Sequence, residues 1–137
     1  MGTRSLTFVY EHDEPVVCMY RQFDGYPTGH GAELAEFLSQ FEDITKGIMV
    51  GETRKTANGM GCLAAQMIGH FKVGAGGFYL FPTSSKDVGE EYDYHIHDHK
   101  VVVNDSWTKK NLFTGTWKSF AIFCNMMQNN NTVPNSP

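Results

Sequence analysis

Two apolar segments near the start of the chain have the composition of β-strands. Leu6–Tyr10 and Val16–Phe23 are rich in Val, Phe, Tyr and Thr. The short charged link at 11–15 favours an antiparallel pair, because it is too short for a crossover. Further strands are predicted at 76–82, 92–96, 101–103 and 111–113.

Three other segments carry apolar residues at helical spacing. The first predicted helix covers about 31–41, and the third begins at about Thr116. The second, at about 62–71, is apolar nearly all round, which predicts a central helix packed on more than one side. Asn58 is its predicted N-cap. These elements predict an α+β fold with two to three helices packed on one face of a mostly antiparallel sheet.

Length and composition predict one globular domain over 1–127. The chain has 137 residues, 41% of them hydrophobic, and the Asn-rich stretch 128–137 predicts a disordered tail. The formal charge of −4 disfavours duplex nucleic acid and acidic membranes as partners. No apolar run is long enough to span a membrane, and the N-terminus lacks the apolar core of a signal peptide.

The cysteines bear on the cellular compartment. Cys18, Cys62 and Cys124 are odd in number and lack CxxC spacing, which argues against a disulfide framework and a structural zinc site. Each lies in an apolar stretch, as a buried thiol does. A cytoplasmic protein is the simplest expectation.

The clearest candidate site is the glycine-rich segment from Tyr20 to Gly31, which joins a predicted strand to a predicted helix. Such a connection offers backbone N–H groups at a positive helix end, and these groups suit an anionic ligand. Arg21 supplies a fixed charge, Tyr26 a stacking surface, His30 a titratable ring and Asp24 a nearby carboxylate. We expect these four side chains to bind the ligand.

A second glycine-containing segment precedes the second helix. Gly59 and Gly61 fit neither the dinucleotide fingerprint nor the P-loop. Arg54 and Asn58 lie just ahead of a helix N-terminus, so an anion bound there would join them to the same ligand site. The alternative is that Asn58 caps the helix and the glycines permit close packing.

The cluster of histidines at 95, 97 and 99 allows two interpretations. On a straight strand the three rings would share one face, and alternate histidines can bind zinc. A hairpin turn between 92–96 and 101–103 would instead splay them on a solvated polar edge, which we favour. No metal or cofactor is therefore predicted.

Several of these motifs resemble a family of small uncharacterised proteins of bacteria and their phages. The resemblance covers roughly residues 2–97. It is carried by Gly2–Thr7, Tyr20–Gln22, Asp24–Pro27, Gly29–Gly31, Asn58–Gly59, Gly61–Gln66, Gly77–Leu80 and Glu91–Tyr92. The family has no established activity, so the resemblance implies a bacterial or phage origin and carries over no catalytic residue.

The leading hypothesis is a cytoplasmic protein that binds an anionic, nucleotide-like small molecule. If a phage encodes it, sequestration of a host defence signal in the host cytoplasm would be a suitable use. One alternative is a small hydrolase or nuclease using His30 and Asp24, with a metal held by His95 and His97. Another is an inhibitor that binds a host protein.

A homo-oligomer is also expected. A small sheet leaves edge strands to cover, and the strip Ile48-Met49-Val50 adds apolar surface. Two-fold pairing is the commonest arrangement for such a chain.

Overall fold

A computed structural model of the protein describes residues 2–41, 43–45 and 56–131. The strands in these ranges are β1 (Ser5–Glu11), β2 (Glu14–Arg21), β3 (Asp43–Thr45), β4 (Thr56–Asn58), β5 (Phe78–Phe81), β6 (Tyr92–His97), β7 (Lys100–Asp105) and β8 (Lys110–Gly115). The helices are α1 (Ala32–Leu38), α2 (Gly59–Phe71) and α3 (Trp117–Asn131), and one π-helical turn, Pro27–Gly31, directly precedes α1.

Parts of the sequence-based expectations fall outside these ranges. Arg54 and the strip 48–50 lie outside the described residues, as does 132–137 of the expected tail. Helix α3 continues to Asn131, past Gln128, where the composition predicts that the tail begins.

Six strands form one mixed sheet in the order β5-β2-β1-β6-β7-β8. Every neighbouring pair is antiparallel except β1 and β6, which run parallel and place Phe8 opposite His95. Strands β3 and β4 form a separate parallel pair. The predicted α+β fold with helices on a mostly antiparallel sheet is confirmed. The sequence did not predict the parallel pair at its centre.

One face of the sheet packs against the helices and forms the larger core. Val9, Tyr94 and Ile96 point to this face and are fully buried. Helix α2 contributes one apolar stripe, which consists of Met60, Leu63, Ala64, Met67 and Phe71. The expectation that α2 packs on more than one side is wrong, because its outer face carries small residues such as Gly61 and Ala65 that are exposed.

The opposite face, which we call the open face, carries a smaller core and a polar half. Leu6, Phe8, Cys18 and Tyr20 form that core. The connection 82–91 leaves edge strand β5 and reaches β6, and the N–H of Glu91 donates to the carbonyl of Arg4 over 2.9 Å. Beyond this connection, the side chains of Tyr10, Asp93, His95 and His97 lie on the open face and are half-buried.

Candidate functional site

The backbone N–H groups of the glycine-rich segment are already used within the protein. The N–H of Gly25 donates to the Thr3 carbonyl, and that of His30 donates to the Asp24 carbonyl, each over 2.8 Å. The N–H of Gly29 also donates within the turn, over 2.9 Å. The prediction that this segment presents free N–H groups to an anion is therefore wrong for these residues, because their N–H groups already donate hydrogen bonds to backbone carbonyls of the protein.

The glycines of this segment serve close packing instead. A Cβ at Gly29 would lie 2.6 Å from the carbonyl oxygen of Asp24. A Cβ at Gly25 would lie 2.8 Å from the Cβ of Ser5, a fully buried residue of β1. Because neither neighbour is the end of a flexible side chain, both positions require glycine. The segment is thereby fixed against the sheet.

Arg21, the last residue of β2, is held by internal contacts. Its Nε donates to the Phe23 carbonyl over 2.6 Å, and its Nη1 donates to Nδ1 of His30 over 3.1 Å and to Oε1 of Glu33 over 2.8 Å. The guanidinium lies 4.9 Å from the centre of the Phe78 ring. Its Nη2 amino group has no hydrogen-bond partner among the described residues. This atom is not fully buried. Nη2 therefore keeps contact with solvent, although the Arg21 side chain as a whole is only 10% exposed.

His30 is fully buried and neutral. Arg21 can only donate, so Nδ1 of His30 accepts and Nε2 carries the proton that it donates to Oγ1 of Thr7 over 2.8 Å. The rings of Phe71 and Tyr94 enclose it, with centroids 5.4 Å and 5.0 Å away. Burial, and secondly the charge of Arg21, lower the pKa of His30 to about 3. A substrate cannot reach this ring, so His30 stabilises the fold.

Asp24 and Tyr26 pair with each other at the surface. The Tyr26 hydroxyl donates to Oδ1 of Asp24 over 2.9 Å. That hydrogen bond, and then the charge of Asp24, raise the pKa of Tyr26. Only the backbone carbonyl of Asp24 meets His30, so the two side chains do not form the acid–base pair that the hydrolase alternative needs.

The structure brings together four of the six predicted ligand residues, which we call the Arg21 corner: Arg21, Asp24, Tyr26 and His30. Asn58 precedes α2, whereas Phe71 at the other end of α2 packs on His30. Thirteen residues of helix separate these ends by about 20 Å. Asn58 therefore does not join the Arg21 corner. It occupies the N-cap position, but its side chain makes no capping hydrogen bond.

A carboxylate of the protein itself faces the N-terminus of α2. The carboxylate oxygens of Glu11 lie 3.7 Å from the points where Gly59 and Gly61 would carry a Cβ. A negative side chain stabilises the positive end of a helix. It also repels an added anion, which weakens the expectation of a phosphate site in this position.

A second group of polar side chains lies on the open face. The Tyr10 hydroxyl donates to Nδ1 of His95 over 2.6 Å, and Nε2 of His95 donates to Oδ1 of Asp93 over 2.6 Å. We call these three residues the Tyr10 relay. Asn104 donates to the same Asp93 oxygen over 2.9 Å, and the Ser106 hydroxyl donates to the other oxygen.

The environment of the relay keeps its carboxylate charged and its phenol protonated. Burial by itself raises the pKa of Asp93, but hydrogen bonds from His95, Ser106 and Asn104 together outweigh burial and hold the pKa below its usual value. Burial, and then the charge of Asp93, raise the pKa of Tyr10. The proton of Tyr10 therefore rests on its oxygen and points at a ring nitrogen that can accept it.

Aromatic stacking fixes the two rings of the relay. The His95 ring lies parallel to Phe8, with centroids 5.1 Å apart, and the Tyr10 ring stacks on His97 at 4.4 Å. Burial, and then the charge of Lys100, lower the pKa of His97. The ring that stacks on Tyr10 is therefore uncharged near pH 7.

The sequence alone predicts part of this group of polar side chains. Alternation along β6 places Asp93, His95 and His97 on one face. Tyr10 is 85 positions away from His95, and only the parallel pairing of β1 with β6 brings the two together.

A cleft of about 280 Å³ opens beside the relay. Tyr10 and His97 form part of its lining, and Gly59 and Met60 of α2 form another part. Three carboxylate residues, Glu11, Asp13 and Asp98, also line it. The cleft therefore favours a neutral or positively charged molecule over an anion.

The histidine cluster does not form a metal centre in the described part of the chain. No group of three or more His, Cys, Asp or Glu side chains within it is arranged to hold a metal ion. His99 lies in the turn after β6 and stacks on Trp117, 4.9 Å away, so it leaves the face that His95 and His97 share. The predicted hairpin between these strands is confirmed.

Comparison with protein-family models, curated proteins and solved structures gave no match. Among the described residues, no helix has the length and apolar character needed to cross a membrane.

Proposed function

We propose that the protein binds a small anionic ligand, nucleotide-like in charge, at the Arg21 corner. One observation carries the proposal: Nη2 of Arg21 has no hydrogen-bond partner among the described residues, while the other guanidinium nitrogens are fixed. A cation held in one orientation loses little conformational entropy when it binds a phosphate or carboxylate oxygen.

Exposed aromatic rings support a ligand that also carries a flat, apolar part. Tyr26 is 37% exposed and Phe23 is 55% exposed, and both follow Arg21 within five residues. Aromatic side chains of this kind stack on nucleobases with little dependence on sequence. A phosphate on Arg21 and a base on one of these rings is the arrangement that we favour.

Glu33 competes with any anion at this corner. Its carboxylate pairs with Nη1 of Arg21 and is 53% exposed, so it can move aside or be replaced without opening the core. Removing its charge should strengthen binding of an anion, by about 3- to 10-fold for a partly exposed pair. Arg21 itself is a poor test position, because it is buried and holds three internal hydrogen bonds.

The test is calorimetric titration with ATP, AMP, cyclic AMP and inorganic phosphate, on the natural chain and on Glu33→Gln. Glu36→Gln is the matched control, since Glu36 is an exposed carboxylate of the same helix. We expect at least one nucleotide to bind, more tightly to Glu33→Gln than to Glu36→Gln. The proposal fails if no anion binds, or if the two variants bind equally.

Sequestration of a host defence signal and assembly into a homo-oligomer stay predictions. The first depends on the resemblance to phage proteins, and the second on the edges of the sheet. Light scattering at micromolar concentration tests the second, since a single chain has a mass of 15.4 kDa.

A further inference from the structure

The Tyr10 relay has the order of groups found where a protein activates a hydroxyl. A hydroxyl donates to one nitrogen of an imidazole, and the other nitrogen donates to a carboxylate held by two further donors. In this arrangement the imidazole can take the hydroxyl proton while the carboxylate balances the positive charge that forms.

The relay is also rigid and adjacent to open space. Phe8 and His97 stack on its two rings, so both are oriented before any substrate arrives. Tyr10 lines the cleft, which gives a small molecule a route to its side of the relay.

We infer that Tyr10 is a nucleophile, activated by His95 and oriented through Asp93, for a neutral or cationic acyl ester bound in the cleft. The carboxylates that line the cleft argue against an anionic ester. This activity is independent of anion binding at the Arg21 corner, which lies at the other end of the sheet.

The chemical step balances within these residues and water. The Tyr10 oxygen bonds to the acyl carbon, and its proton passes to Nδ1 of His95. The bond from the acyl carbon to the leaving oxygen breaks, and His95 returns the proton to that oxygen. Water then attacks the tyrosyl ester with His95 as base, and the Tyr10 phenol re-forms.

The test uses p-nitrophenyl acetate as a neutral acyl donor and p-nitrophenyl phosphate as its anionic counterpart. We expect nitrophenol release from the acetate, with an added acetyl group mapped to Tyr10 by peptide mass spectrometry. Tyr26 and Tyr79, whose rings are more exposed, serve as internal controls and should stay unmodified on the same timescale. The phosphate should not react.

Three variants separate chemistry from folding. Tyr10→Phe retains the ring that stacks on His97 and should abolish acetylation at this position. His95→Ala should slow acetylation of Tyr10 by about 100-fold, the usual contribution of a general base, and added imidazole should restore part of the rate. Asp93→Asn, the positioning variant, should slow it without rescue by imidazole, because the His95 ring still fills its place.

Each outcome bears on the inference directly. Rescue of His95→Ala by imidazole supports it, since a merely structural histidine would not be replaced by a free base. Acetylation of Tyr26 and Tyr79 as fast as Tyr10, or a His95→Ala variant that reacts like the natural chain, overturns it. Calorimetry measures anion binding and mass spectrometry measures acetylation of Tyr10, so failure here and failure of anion binding are distinguished.

Discussion

His30 and His95 have the same kinds of hydrogen-bond partner, but the bonds run in opposite directions and the surroundings differ. Each ring meets a hydroxyl at one nitrogen and a charged side chain at the other. For His30 the hydroxyl is Thr7 and the charge is the cation Arg21. For His95 the hydroxyl is Tyr10 and the charge is the anion Asp93.

The sign of the charged partner and access to water decide what each ring can do. A proton added to His30 would place a second positive charge 3.1 Å from Arg21 on a fully buried ring. When His95 accepts a proton at Nδ1, the carboxylate of Asp93 at Nε2 balances the positive charge of the ring, and the His95 side chain is 22% exposed. We therefore assign His30 to stability and His95 to proton transfer, although each ring pairs with one hydroxyl and one charged side chain.

The largest expected difference is in unfolding free energy after each ring is removed. His30→Ala should cost about 4 kcal/mol, because it leaves a cavity and removes a hydrogen bond from each of two buried partners. His95→Ala should cost about 1 to 2 kcal/mol, because water can enter the space. Urea denaturation measures both, and equal losses would break the comparison.

A second effect concerns stability below neutral pH. The folded pKa of His30, about 3, is below the unfolded value of about 6.5, so between these values the unfolded chain binds the extra proton. Stability contributed by the neutral ring is complete above pH 6.5 and falls as pH drops toward 3. From pH 7 to pH 5 the loss should be about 2 kcal/mol.

The natural chain and His30→Gln, compared in urea at pH 7 and pH 5, isolate this contribution. The lowered pKa of His97 acts in the same direction in both proteins and cancels in the difference. The lowered pKa of Asp93 costs stability only at lower pH, as its carboxylate protonates. If His30→Gln loses as much stability as the natural chain, the buried neutral ring is not the cause.

The smallest expected difference is in the unfolding free energy lost when the hydroxyl of Thr7 or that of Tyr10 is removed. Thr7→Val keeps the shape of a fully buried side chain but leaves the His30 N–H without an acceptor, at a cost of about 2 kcal/mol. Tyr10→Phe removes a hydroxyl near the surface and keeps the stacked ring, so it should cost about 0.5 to 1 kcal/mol. Thermal unfolding of the two variants side by side checks the order, and a larger cost for Tyr10→Phe would contradict it.

The sequence predicts where the strands and helices lie along the chain better than it predicts which strands pair. Strands β1 and β6 are recognisable from their composition, but nothing in the alternation along either one says that they pair in parallel. Without that pairing, Tyr10 and His95 are unrelated positions. The relay could therefore not be assembled from the sequence, although its strand positions could.

The Arg21 corner is the opposite case, because its residues are close together in the sequence. Arg21, Asp24, Tyr26 and His30 lie within ten positions, so chain connectivity alone keeps them close. The sequence does not reveal their burial or bonding, because these depend on Thr7, Glu33 and Phe78 from other elements. The sequence predicts that Asn58 belongs to the same ligand site because its residue type and its place before a helix suit an anion. In the structure, the length of helix α2 separates it from the Arg21 corner.

Imidazole ¹⁵N–¹H NMR at pH 5 reports the protonation state of each ring and so distinguishes a neutral His30 from a charged one. We expect His30 to remain neutral, with its proton on Nε2, at a pH where an ordinary histidine is charged. We also expect slow solvent exchange of that proton, since the ring is fully buried. A His30 ring that carries protons on both nitrogens at pH 5 would show that burial and Arg21 do not keep it neutral.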